Sequence, residues 1–238
     1  MTPDVMKQKQ QAAERAAELV ESGMVVGLGH GSTAILALRC LAERMRSGHV
    51  RDILGVPCSL QIEREATRLG IPLTTLEKHP DIDLTIDGAD EVDSNLDLIK
   101  GGGGALLREK IVAQASRREI IVVDESKLSP ALGTHCAVPV EVVPFGWHSQ
   151  AAYLESLGAE VTARKTDVRG NGPLFRTDHD NIVLDCRFGP IHEPAQLAVR
   201  IRERAGIVEH GLFLGLATEI IIAGSEGIVQ WKRDMPNP

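Results

Sequence analysis

The stretch Lys100-Gly101-Gly102-Gly103-Gly104-Ala105-Leu106-Leu107-Arg108-Glu109-Lys110 puts a cation, four consecutive glycines and a carboxylate into one passage from loop to helix. A run of glycines costs conformational entropy, and a purely structural loop rarely needs it; close approach of backbone N–H groups to a ligand does. Lys100 ends a strand-like run, and Glu109 falls early in the helical pattern that follows. Helical side chains lean toward the helix N-terminus, so the Glu109 carboxylate can reach back over the glycines. The helix dipole favours its ionised form. A carboxylate base facing a lysine across a nest of N–H groups is what enolisation next to a carbonyl requires. Taken alone, Glu109 also reads as an ordinary residue on the surface of a helix.

Three other segments carry comparable chemistry. Gly27-Leu28-Gly29-His30-Gly31-Ser32-Thr33 lies between a strand-like run and a helical one. Its glycines, hydroxyls and helix N-terminus suit a phosphate; a dinucleotide fingerprint and a plain tight turn are the rival readings. Ser32 stands where the fingerprint needs a third glycine, the next strand ends in Pro57-Cys58-Ser59 with no acid, and no Walker lysine is present. Thr85-Ile86-Asp87-Gly88-Ala89-Asp90-Glu91 sets two carboxylates three residues apart around a glycine. Both can face one pocket, and neighbouring acids can hold different protonation states, which suits proton shuttling. A cap or a solvated turn would use the same residues, and no histidine lies near enough in sequence to favour a metal. Asp124-Glu125-Ser126-Lys127 follows the run IIVVD, and Lys127 could meet a substrate phosphate or stand exposed.

The elements that must hold these loops alternate. Residues 5–22 read as an amphipathic helix, and MVVGLG at 24–29 as a buried strand followed by a helix over about 33–47. DILGVP is a strand, 61–69 a helix, IPLTTL and DLTID are strands, 104–116 is a helix and EIIVVD a strand. Such alternation implies α/β architecture with a doubly wound parallel sheet, whose ligands bind beyond the carboxyl ends of the strands. After Gly133 the order becomes β-α-β-β-α-β, that of a ferredoxin-like unit. The expected division is a catalytic domain over 1–132 plus 208–238 and an inserted smaller α+β domain over 133–207, with TEIIIAGSEGIVQW returning to the main sheet.

The chain has 238 residues, 43% of them apolar and 25% charged, enough for a large aliphatic core. Its formal net charge of -7 argues against general nucleic-acid binding. Cys40, Cys58, Cys136 and Cys186 are widely spaced, which argues against a disulfide framework or a cysteine metal site and points to a reducing, cytoplasmic setting. No apolar run approaches the roughly 20 residues a membrane span needs. No signal core stands at the N-terminus.

GLGHGSTA, TIDGADEVD, LIKGGGGALLREK, VVDESKL, VPVEVVPF and EHGLFLGLATEIIIAG, in this order, closely resemble the type A ribose-5-phosphate isomerases, and the likeness runs over nearly the whole chain. The resemblance implies a Rossmann-like sheet with a small α+β domain, and interconversion of ribose 5-phosphate and ribulose 5-phosphate with no metal and no organic cofactor. It implies that Glu109 moves the proton between C2 and C1, and that Lys100 and the amides of Gly101, Gly102 and Gly103 steady the enediolate oxygen. Asp87 and Asp90 would bind hydroxyls and assist ring opening, with Gly88 and Ala89 lining the substrate. Gly31, Ser32, Thr33 and Lys127 would hold the phosphate end, His30 would line the substrate at the border of the sugar-phosphate pocket, and Lys9 falls where the family often has a lysine near the phosphate. It further implies a homodimer or homotetramer. The chain departs from the family at His30, usually threonine, and at Cys58, usually threonine or serine. A protonated imidazole at 30 would add charge beside a dianion and make phosphate-end affinity depend on pH near neutrality; in the alternative reading the ring points away and fills space near Cys58.

Other readings share these residues: an isomerase of a related sugar phosphate, a non-catalytic sugar-phosphate sensor, or a nicotinamide-dependent oxidoreductase. Asp87, Asp90, Lys100 and Glu109 together weigh against the sensor, and the loop after the first strand weighs against the oxidoreductase.

Overall fold

In the computed structural model, which describes residues 3–167, 170 and 172–233, the chain opens with α1 (Pro3–Ala17), β1 (Val25–Leu28), α2 (Ser32–Arg46), β2 (Leu54–Pro57), α3 (Leu60–Leu69) and β3 (Leu84–Asp87). Two very short strands follow, β4 (Glu91–Val92) and β5 (Leu98–Ile99), then α4 (Leu106–Gln114), β6 (Glu119–Asp124) and a 3-10 turn at Glu125–Lys127. β7 (Val138–Val142), α5 (Trp147–Ser156), β8 (Glu160–Ala163), β9 (Ile182–Arg187), α6 (Pro194–Arg202) and β10 (Ile207–His210) come next. β11 (Leu212–Phe213), β12 (Glu219–Gly224) and β13 (Gly227–Lys232) end the described chain.

These elements form two compact units. The first is Met1–Ala89, Arg108–Lys127 and Gly215–Pro238; the second is Asp90–Leu107 and Leu128–Leu214. The sequence boundaries at 132/133 and 207/208 fall elsewhere, because β4, β5 and the glycine run pair with later chain in the second unit.

The first unit holds a six-stranded sheet in the order β13-β12-β6-β3-β1-β2. It is parallel except for the β12–β13 hairpin. Every residue of β6 is buried, as a strand covered on both faces must be, and that is why EIIVVD reads as an unbroken apolar run rather than an alternating one. α1 and α2 supply Ala12, Ala13, Ala16, Leu38 and Leu41 to the core against Val26, Ile86, Ile120 and Ile221. α3 begins at a Ser59 cap, whose hydroxyl accepts the Ile62 N–H at 3.1 Å, and ends at Gly70 in the left-handed region, so capping chemistry sets both its limits.

The second unit carries a four-stranded antiparallel sheet in the order β10-β7-β9-β8, with α5 and α6 as its helices; this is the ferredoxin-like arrangement. It also holds a three-stranded sheet, β11-β5-β4, that the periodicity does not announce.

Two expectations need correction. IPLTTL forms no strand: Leu73 makes a single bridge to Gly55. Pro72 has no N–H to donate, and a turn opened by Thr75, whose carbonyl accepts the Lys78 and His79 N–H groups, takes the chain out of the ladder. The first helix stops at Ala17 rather than near residue 22, since the Leu19 and Val20 N–H groups turn back to Ala16 and Ala17.

Candidate active site

In the first unit β6, β3 and β1 are neighbours running parallel, so the loops after them leave the same edge of the sheet, the edge where ligands bind in open α/β sheets. The loop after β1 begins at Gly29 and reaches α2 through Gly31, whose φ of 108° is available to glycine and strained for other residues. No side chain caps α2. Its first-turn N–H groups, those of Ser32, Thr33 and Ala34, carry the positive end of the helix dipole and suit an anion. Lys9, on α1 and only 6% exposed, donates from Nζ to Ser32 Oγ at 2.9 Å and lies 4.0 Å from Asp124 Oδ2. Asp124 in turn accepts the N–H and the hydroxyl of Ser126. A buried cation is thus held beside the hydroxyl that opens α2, and Lys127 closes the same 3-10 turn half-buried.

Asp87, 1% exposed at the end of β3, accepts the His30 N–H at 2.9 Å and the Gly88 N–H at 2.7 Å, both on Oδ1. Its carboxylate therefore fixes the backbone of the loop after β1. The His30 ring does not simply extend into that loop: Nδ1 is 2.9 Å from Ser59 Oγ, the hydroxyl that caps α3. Glu109, in the first turn of α4, is buried at 4% exposure.

The second unit contains the glycine run. Asp90 Oδ2 accepts the Gly102 N–H at 2.7 Å, and a β-carbon on Gly102 would meet the same carboxyl group at 2.6 Å, so a side chain there would have to displace the carboxylate. Gly101 O accepts the Gly104 N–H at 2.9 Å and closes the turn. Lys100, 2% exposed, is pinned by its N–H to Gly211 O at 2.9 Å and lays its Nζ 5.4 Å from the centre of the Phe213 ring. Next to Asp90, the wholly buried Glu91 carboxylate accepts N–H groups from Gly133, Thr134, His135 and Cys136 at 3.0–3.2 Å, which fixes the backbone at this point of the chain. Asp87 and Asp90, three residues apart, thus serve different backbones: one the loop after β1, the other the glycine run.

Among the described residues, no group of three or more His, Cys, Asp or Glu side chains could hold a metal ion. No described helix is long and apolar enough to cross a membrane.

The model of the family described as Ribose 5-phosphate isomerase A (phosphoriboisomerase A) matches residues 54–227. The chain belongs to the ribose-5-phosphate isomerase A family. It is 56% identical over 227 residues to Ribose-5-phosphate isomerase A of Chloroflexus aurantiacus, covering 95% of this chain and 94% of that one. It is 48% identical over 223 residues to the probable ribose-5-phosphate isomerase 3, chloroplastic, of Arabidopsis thaliana, covering 92% and 81%. Among solved structures, ribose 5-phosphate isomerase from Plasmodium falciparum superposes with a TM-score of 0.92 at 40% identity, covering 96% of this chain and 99% of that one. A D-ribose-5-phosphate isomerase in complex with phospho-erythronic acid also gives 0.92, at 36% identity over 98% and 100% of the two chains.

These matches to ribose-5-phosphate isomerases cover 92–98% of the chain and so reach both units. Sequence reasoning passed over the anchoring duties of Glu91, Asp124 and Phe213. Glu91 had one available signal, an acid directly after the paired aspartates; the pairing of Asp124 with Lys9 and of Phe213 with Lys100 depends on chain far away in sequence.

Proposed function

We propose that this chain interconverts D-ribose 5-phosphate and D-ribulose 5-phosphate through an enediolate, as a step of the non-oxidative pentose phosphate pathway. The observation that carries the reading is the buried Glu109 carboxylate in the first turn of the helix that the glycine run opens, in a chain 56% identical to a ribose-5-phosphate isomerase A. In this reading the C2 proton of the open-chain aldose moves to Glu109 while the electron pair forms the C1–C2 double bond and charge gathers on O1. Lys100 and the N–H groups of Gly101, Gly102 and Gly103 stabilise that charge. Glu109 then returns the proton to C1, and the O2 proton passes to O1, leaving the ketone at C2. Asp87 and Asp90 hold hydroxyls and assist ring opening, with Gly88 and Ala89 against the sugar. The phosphate takes the first-turn N–H groups of α2 with Gly31, Ser32, Thr33, Lys127 and His30, and Lys9 behind Ser32 adds its charge. No metal and no organic cofactor takes part. The protein works as a homodimer or homotetramer in the cytoplasm.

The test is a turnover assay with ribose 5-phosphate against arabinose and allose phosphates, repeated after prolonged chelation. Preferred turnover of ribose 5-phosphate that survives chelation supports the reading. A preference for another sugar phosphate, or activity restored only by one divalent ion, overturns it.

A further inference from the structure

We propose that Arg164 is a positioning residue for the glycine run: held by Asp185, its guanidinium sets the direction in which the Gly102 and Gly103 N–H groups point. The inference rests on the proposed function, in which these amides meet the charge that develops on O1, the Gly102 N–H by turning from Asp90 to the substrate as Asp90 takes a sugar hydroxyl.

Arg164 follows β8 in the second unit. Its Nη1 donates to Gly101 O at 2.8 Å and to Gly102 O at 3.1 Å. A carbonyl and the N–H of the next residue share one planar peptide and point opposite ways when it is trans, as these are. Drawing two successive carbonyls to one side therefore turns the Gly102 and Gly103 N–H groups to the other. For Gly102 the consequence is visible, since its N–H meets Asp90 Oδ2 on the far side. Glycines have the widest choice of backbone conformations, so this run needs an external restraint more than other loops do.

The restraint is itself rigid. Nε donates to Asp185 Oδ2 at 3.0 Å, and Nη2 to Asp185 Oδ1, a two-pronged pairing. The Arg164 side chain is 14% exposed. Its backbone is bonded on both sides, N–H to Val183 O at 2.8 Å and carbonyl to the Phe175 N–H at 2.9 Å. Phe175 lies 5.9 Å from the guanidinium carbon and occupies the space that a side chain on Gly104 would need, so one ring braces both the arginine and the end of the run. A lysine could not replace this fork, because a single ammonium cannot span a carboxylate and two carbonyls in fixed directions.

The experiment compares wild type with R164M, R164K and D185N, measuring kcat and KM for ribose 5-phosphate, Ki for phospho-erythronic acid, melting temperature, and amide hydrogen exchange over residues 100–107. R164M is expected to lower kcat by roughly 10–100-fold, the scale of losing or misplacing an oxyanion donor. KM should stay within about threefold, and exchange over 100–107 should accelerate. R164K and D185N should fall between R164M and wild type, and Ki should rise in step with the loss of kcat. A merely structural arginine would lower the melting temperature and leave kcat per folded enzyme unchanged. If folded R164M keeps kcat and exchange within twofold of wild type, the inference is wrong; should R164M fail to fold, the same outcome in R164K and D185N overturns it. A wild type without isomerase turnover whose R164M variant still shows faster exchange would sink the proposed function and leave the positioning intact.

Discussion

The backbone N–H of His30 and Oδ1 of Asp87 are 2.9 Å apart, a hydrogen bond that ties the end of β1 to the end of β3. The Gly88 N–H shares the same oxygen at 2.7 Å. Removing the carboxylate leaves two N–H groups without their acceptor, at about 1–3 kcal/mol for a buried group. Asp87→Ala should therefore shift the urea midpoint down clearly, whereas Asp87→Asn, which keeps an acceptor oxygen, should shift it less. Equal midpoints for the two variants would contradict this account.

Glu109→Gln should abolish most turnover and leave substrate binding nearly intact. The side chain is buried in the first turn of α4, and loss of a general base typically removes roughly 10²–10⁴ in rate. Steady-state kinetics decide the matter, and near-normal kcat would remove Glu109 from the role of base.

Lys100→Ala should lower kcat by roughly 10²–10³, the usual scale for losing one donor to a developing oxyanion. The amine lies over the Phe213 ring in a buried position, where its charge is poorly screened. A rise in KM with kcat unchanged would make it a binding residue only.

His30 Nδ1 meets Ser59 Oγ at 2.9 Å, and Ser59 also caps α3. Ser59→Ala should cost about 1 kcal/mol through the lost cap, measurable by urea unfolding. If the imidazole charges beside a phosphate dianion, affinity for a non-reacting sugar phosphate weakens as pH rises from about 6 to 8.5, beyond the change due to the phosphate's own second ionisation near 6. His30→Thr should flatten that difference, and parallel curves for the two proteins would show that His30 plays no electrostatic part.

Glu219 opens β12 between two cations. Burial alone would raise its pKa, but Arg118 at 2.6 and 3.0 Å, Lys232 at 3.6 Å and Gln230 at 2.5 Å together hold it below the usual glutamate value. A carboxylate with a lowered folded pKa contributes stability that is present above its unfolded value of about 4.3. That stability is lost as pH falls through the folded value. Melting temperatures from pH 6 to 3 should fall more steeply in wild type than in Glu219→Gln. The same acid slope in both would show that this cluster does not govern acid unfolding.

Much of the architecture follows from local pattern. The strand EIIVVD, buried throughout, the strand EIIIAG, buried but for its last residue, and the β-α-β-β-α-β order after Gly133 need only the spacing of apolar residues and the turns between them, and IPLTTL apart, both the parallel sheet and the ferredoxin-like sheet have the strands so expected. The loops carrying Asp87, the glycines and Ser32 were legible for the same reason: glycine, acid and hydroxyl next to a strand end state their chemistry within a few residues. Strands of two residues, β4, β5 and β11, have no period to read: β4 and β5 pair locally, Glu91 opposite Ile99, and β11 joins them from more than a hundred residues away, Leu212 opposite Ile99. That pairing carries the glycine run into the second unit, which no boundary drawn from composition could do. Lys9 beside Ser32, the amides of His30 and Gly102 on Asp87 and Asp90, and Arg164 on the carbonyls of Gly101 and Gly102 belong likewise to the tertiary structure alone. Residue type and spacing determined which groups could act; which way each amide and carboxylate points was decided by hydrogen bonds between segments that meet only when the chain is folded, because a peptide or side chain takes its direction from its partner in space rather than from its neighbours in sequence.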